Sequence, residues 1–286
     1  MIRHVAGMLA AAVLIAACMF YPYMPGEYDG LAVPLSMMSQ LLGIVGLLLV
    51  PFGALWLVYE LRKRPTAAGT QSGRDKGFWF GLASLVAATL VVLVLALGAS
   101  IHLGRTPGIV VIALWAVCAY RLAAGLRSMR GTELRAFHPA PVYLVVLPVV
   151  AAMLRMTLVG PVSEFGMNRA IENSAEMIRD IEQYHDTHGA YPPSLLSLWP
   201  DYRPLVVGVR QYRYEPHREA YNLYFEVFST QLDSHEIVMY NKRDEHVMTS
   251  HDRDLLLRTP AELVLRHGYY AMLDTSRPHW RRFLFD

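Results

Sequence analysis

The pattern of apolar and polar positions divides the chain near residue 160. Before it, long apolar runs alternate with short polar loops; after it, apolar residues recur at helical or strand spacing. The apolar runs are Val5 to Tyr21, Leu31 to Tyr59, Phe78 to Ile101, Ile109 to Leu126 and Val142 to Val159. A helix crosses about 30 Å of hydrocarbon with about 20 residues, so these runs predict about five transmembrane helices. The second carries Pro34 and Pro51 and has length to spare for a kink or tilt. The first is short and follows Arg3 and His4, so a signal peptide competes with a retained helix, and Ala16-Ala17-Cys18 hints at a lipoprotein-type site. The retained helix is the preferred reading, because Phe20 and Tyr21 continue the apolar character.

After residue 160 the spacing changes. Ile171, Ala175, Ile178, Ile181 and Tyr184 form one apolar stripe, with Arg169, Glu172, Glu176, Arg179, Asp180 and Glu182 opposite. Gly189 supplies a left-handed helix stop. Tyr191 is held extended by Pro192, and Pro193 suits the first turn of a short helix whose buried face is Leu195, Leu196 and Leu198. Tyr212 to Tyr214 and Tyr221 to Phe228 then read as a hairpin around Pro216 to Ala220. Glu236 to Tyr240, Tyr269 to Leu273 and Trp280 to Phe285 complete an antiparallel sheet. Thr259 to Glu262 is a capping box opening a helix through Arg266. The fold class is therefore a membrane all-α bundle plus a C-terminal α+β domain, with domains at 1–160 and 161–286.

Composition agrees with this division. The chain is 54% hydrophobic, too apolar for an ordinary soluble protein of 286 residues. Residues 1–160 hold 12 Lys/Arg against 5 Asp/Glu, and residues 161–286 hold 14 against 19. The acidic C-terminal part argues against nucleic-acid binding. The basic residues fall in alternate loops. Arg3 precedes the first run, Arg62, Lys63, Arg64, Arg74 and Lys76 follow the second, and Arg127, Arg130 and Arg135 follow the fourth. The positive-inside rule then places the N-terminus in the cytoplasm and the C-terminal domain outside, in the periplasm of a bacterium with an inner membrane. Arg121 and Arg155 lie near span ends, where Arg can reach the headgroups. With no Asp, Glu or Lys inside a span, an ion-coupled transporter is not expected.

Ile181, Tyr184, Gly189, Tyr191, Pro192, Ser194, Leu195 and Leu198 fill an I-x-x-Y-x-x-x-x-G-x-Y-P-x-S-L-x-x-L pattern. This stretch resembles the periplasmic part of type II secretion pseudopilins and type IV pilin-like proteins, over roughly Asn168 to Val227. The resemblance implies a helix packed on an antiparallel sheet. The chain departs from the family where Gly160-Pro161 follows the last apolar run, which reads as a break ahead of the soluble helix. No processing signature precedes that run, so peptidase cleavage and filament insertion are not expected.

Candidate chemistry is sparse. His185 and His188 have a spacing that could share a metal, against the reading of exposed residues at a helix end. Some pseudopilins bind calcium in a loop near the C-terminus, which makes Asp252 and Asp254, beside His251, the candidate calcium ligands; a solvated charge run is the alternative. No catalytic or cofactor motif is present. The tyrosines Tyr212, Tyr214, Tyr221 and Tyr224 suit half-buried sheet. The expectation is a non-enzymatic integral membrane protein that presents its periplasmic domain for contacts with an envelope protein, in a secretion or pilus-related setting. An immunity-type protein against a membrane-targeting toxin, and a membrane enzyme with its site where the soluble domain meets the bilayer, are the alternatives. Membrane lipids are the other expected partners.

Overall fold

Among the described residues of the computed structural model, five helical segments are long and apolar enough to cross a membrane, so the chain is a multi-pass membrane protein with a C-terminal sheet. The structure describes residues 2–62, 71–103, 105–129, 138–198, 200–216, 219–229, 235–246 and 269–285. The chain forms two compact units. One comprises Met1–Met19 with Pro34–Leu158, and the other Phe20–Val33 with Val159–Asp286.

The first unit is helical. It holds α1 (Ile2–Phe20), α2 (Ala32–Val45), α3 (Val50–Arg62), α4 (Gln71–Leu103), α5 (Arg105–Met129) and the first half of α6 (Ala140–Asn173). The second apolar run is α2 and α3 joined by a 3-10 turn at Gly46–Leu49. Pro51 accounts for that turn. It has no N–H to give the Leu47 carbonyl, and the Val50 N–H takes up that acceptor instead. The helix α3 runs to Arg62, and α4 begins at Gln71, ahead of the third apolar run. Gly81 lies where α4 meets Leu126 of α5 and Trp56 of α3, so a side chain there would collide with Leu126. The glycine at this position is a helix contact.

The helix α6 corrects the expected break. It runs without interruption through Gly160 and Pro161 to Asn173, and α7 (Ala175–His188) follows one residue later. A proline clashes with the N–H and the Cβ of the residue before it, and Gly160, which has no Cβ, removes one part of that cost. Nothing lies within 4 Å of where a Cβ at Gly160 would be, so the proline sits on an open helix surface.

In the second unit, the described residues after α7 form five antiparallel strands: β1 (Arg213–Pro216), β2 (Tyr221–Val227), β3 (His235–Asn241), β4 (Tyr269–Asp274) and β5 (Trp280–Phe285). Their order is β1-β2-β3-β5-β4, because the last hairpin pairs through its second strand. Tyr221, Leu223, Phe225 and Val227 of β2, Val238 and Tyr240 of β3, and Trp280 of β5 share the core with Met167 and Ile171 of α6 and Met177 and Ile181 of α7. Met177 and Ile181 are fully buried, and each such side chain contributes about 1.5–3 kcal/mol. Tyr224, Ile237, Met239, Phe283 and Phe285 form a second buried cluster through the alternate side chains of β2, β3 and β5. The capping box at Thr259 lies outside the described residues.

Phe20–Val33 belongs to this second unit. Pro25 forms a β-bridge with Val206. Gly26 N–H donates to Leu205 O (3.0 Å), Val207 N–H to Met24 O (3.0 Å), Asp29 N–H to Val207 O (3.0 Å) and Gly208 N–H to Pro22 O (2.7 Å). The loop between the first two apolar runs is thus hydrogen-bonded into the domain that follows the fifth. The α2–α3, α4, α5 and α6 segments separate the two in sequence. An even number of crossings is what joint folding on one side of a membrane requires.

Candidate functional site

The stretch that carries the resemblance forms a corner around Glu182. Ile181 anchors it from inside. Gly189 ends α7 with φ 71° and ψ 8°, and its N–H donates to His185 O at 2.8 Å. Pro192 is buried, and its carbonyl accepts from Tyr214 OH at 2.9 Å, which fixes the turn to β1. Tyr191 enters the core edge-on against Tyr221, with ring centroids 5.1 Å apart, and its other side meets His185 at 4.3 Å.

The short helix is a single 3-10 turn, Leu195–Ser197. Leu195 and Leu198 pack on the core. Leu196, expected on the same face, is instead 95% exposed. A 3-10 turn has three residues per turn, so Leu195 and Leu198 eclipse and Leu196 points away. At α-helical spacing the three would have shared a broader face.

Glu182 was grouped with the polar face of α7, yet its side chain is only 22% accessible. Oε2 accepts from Lys242 Nζ at 2.6 Å, and Lys242 follows β3 directly. Burial, with the Glu182 carboxylate second or third in effect, pushes the Tyr191, Tyr221 and Tyr240 hydroxyls above the usual tyrosine range. The hydrogen bond from Lys242 to Glu182 holds the Lys242 ammonium above the usual lysine range. All these shifts favour neutral tyrosines and a lasting ion pair. Glu182 Oε1 and the Tyr221 hydroxyl are buried at the same corner, and neither forms a well-aligned hydrogen bond.

The histidines do not converge. His188 stacks on Tyr184 with ring centroids 4.0 Å apart, while His185 faces Tyr191. Among the described residues, no group of three metal-ligating side chains forms. Asp252 and Asp254 lie outside the described residues.

Three features of this unit escaped the sequence reading: the Glu182–Lys242 pair, the buried Glu236–Arg282 pair (2.6 Å), and the strand-like contact of residues 24–29 with 205–208. Each joins residues at least 46 positions apart, so no local spacing announces it. No family model matches the chain, and neither a curated protein nor a solved structure matches it.

Proposed function

We propose that this is a bacterial inner-membrane protein whose N-terminus is cytoplasmic and whose pilin-like α+β domain stands in the periplasm for contact with another envelope protein, in a secretion or pilus-related assembly. The observation that carries the reading is the folding of Phe20–Val33 into the C-terminal unit. The chain passes between the two units three times, after Met19, Val33 and Leu158. A domain tethered to a membrane-spanning unit suits display at the membrane better than free diffusion. The excess of Lys/Arg in alternate loops supports the periplasmic side. The unbroken α6, followed directly by α7 and a sheet, supports the pilin-like description. Leu196 gives the platform an exposed apolar contact beside a rigid corner.

The test uses the full chain in cells. Alkaline phosphatase fused after Asp286 is expected to be active, and the same enzyme fused after Arg64 inactive. The reverse pattern overturns the topology. A benzophenone amino acid at Leu196 is expected to give, on irradiation, one discrete crosslinked protein. Only crosslinked lipid, or no product, counts against the contact role.

A further inference from the structure

The helical unit holds a half-open cavity of about 1070 Å³ lined by α1, α2–α3, α4, α5 and α6. That is at the upper limit of ordinary ligand pockets, about 300–1,000 Å³. Most of its wall is hydrocarbon, for example Leu42, Leu85, Ala88 and Leu147. The polar wall residues sit together at one end of the bundle. His4 is near the start of α1, Trp56 near the end of α3, Ser84 in the early part of α4, Arg121 near the end of α5, and His138 and Tyr143 at the start of α6. Successive helices run in opposite directions, so these positions share an end.

Most of the polar groups are already engaged. Tyr143 OH donates to His4 O at 3.0 Å, and Trp56 stacks on His138 with ring centroids 5.3 Å apart. Trp56 Nε1 donates to Glu60 and Trp115 Nε1 to Thr89. Two groups differ. Ser84 is 5% exposed, and its hydroxyl has no hydrogen-bond partner, although Thr89 and Ser100 on the same helix each donate to the carbonyl four residues back. A buried hydroxyl without a partner costs about 1–3 kcal/mol, which a bonded ligand would remove. Arg121 is the second. Among the described residues it has no ion-pair partner, and no carboxylate lines the cavity. The Arg121 side chain is exposed near the end of α5, at the depth where lipid headgroups lie, and is open to an anionic group there.

We infer that this cavity holds an acidic phospholipid, with an acyl chain among the leucines, the phosphate on Arg121, and an ester oxygen accepting from Ser84. The solvent around this unit is lipid, so an amphiphile is the molecule at hand. The charge at the mouth selects an anionic headgroup over a zwitterionic one, through the charge-assisted bonds that Arg makes to phosphate. The site is independent of which face of the membrane the C-terminal domain occupies.

Trp56 is a built-in reporter. It lines the cavity and is only 4% accessible, and quenching by lipid outside the bundle is the background that Arg121→Gln leaves in place. The full chain carrying Trp79→Phe and Trp115→Phe is reconstituted in phosphatidylcholine vesicles. Trp199 and Trp280 follow the last membrane helix in the chain and give a constant background. Phosphatidylglycerol brominated on its acyl chains is expected to quench Trp56 at about one-tenth the mole fraction needed by brominated phosphatidylcholine, equivalent to about 1.4 kcal/mol. Arg121→Gln is expected to abolish that difference and Arg121→Lys to restore part of it. Ala88→Phe is expected to weaken quenching by both lipids. Equal quenching by the two lipids in the otherwise unchanged protein overturns the proposal, because the space then takes any chain without selection. Absence of quenching overturns it as well. If Ala88→Phe fails to insert, the selectivity of the unfilled cavity still decides.

Discussion

The Lys242 ammonium lies 2.6 Å from Oε2 of Glu182, across the corner where α7 gives way to the Gly-x-Tyr-Pro turn. Lys242 is about half exposed and Glu182 mostly buried, so the partners are not equivalent. Removing the lysine strands a carboxylate among tyrosines, whereas Glu182→Gln removes the charge that needs compensation. Lys242→Met is therefore expected to lower stability by about 1–3 kcal/mol, and Glu182→Gln by about 1 kcal/mol. The double variant should resemble Glu182→Gln alone and not the sum of both. Thermal unfolding of the full-length protein in detergent, followed by the emission of Trp280 in the sheet core, measures all three.

Leu195 and Leu196 are adjacent but should behave oppositely. Leu195 packs on the core cluster and Leu196 is almost fully exposed. Leu195→Ala is expected to cost about 2 kcal/mol, at the low end of core truncations because the site is only partly buried. Leu196→Glu is expected to change stability by no more than about 0.5 kcal/mol. Under the proposed function it should nevertheless weaken association with the envelope partner. Parallel unfolding curves and crosslinking yields separate the two effects.

What could be read from the sequence was local. The stripe of Ala175, Ile178, Ile181 and Tyr184 announces α7, and Gly189 announces its end, because both signals act within one or two turns. The β1–β2 hairpin and the last two strands were visible for the same reason. Leu196 was misassigned because three leucines in four residues fit an α-helical face as well as a 3-10 turn. Pro161 was read as a break, since proline usually ends helices and Gly160's lack of a Cβ is a compensation easily overlooked. The membership of Phe20–Val33 in the C-terminal unit could not be seen, since its partners lie about 180 residues away. The apolar runs announced the membrane helices. The cavity depends on how those helices pack, which their hydropathy does not encode.

Gly208 is where that long-range contact is tightest. A Cβ at Gly208 would lie 2.6 Å from both the Cβ and the carbonyl oxygen of Pro22. Gly208→Val is therefore expected to destabilise the contact by about 1–3 kcal/mol through overpacking. The Gly208–Pro22 hydrogen bond should open first. A cysteine at Tyr28, on the same loop and exposed, is expected to react faster with a membrane-impermeant maleimide in the Gly208→Val background. Unchanged labelling would mean that the loop is held without this contact.

His246 gives the C-terminal unit a pH dependence whose sign is fixed by burial. Its side chain is buried, with Nε2 2.9 Å from the carbonyl oxygen of His279. Burial, the largest influence, pushes its pKa below the ordinary histidine value of 6.5, so the folded protein prefers the neutral ring. The unfolded chain binds a proton near pH 6.5, and the folded chain only at lower pH. Between those two values the unfolded state carries more protons, and stability rises with pH there. The stabilisation is complete above about pH 6.5 and is lost as the pH falls towards the folded-state pKa. Thermal unfolding between pH 5 and 7.5 is expected to show the midpoint dropping on the acid side. His246→Gln, which cannot take up the proton, is expected to flatten that slope. A wild-type midpoint that rises on acidification across this range would contradict a buried neutral imidazole.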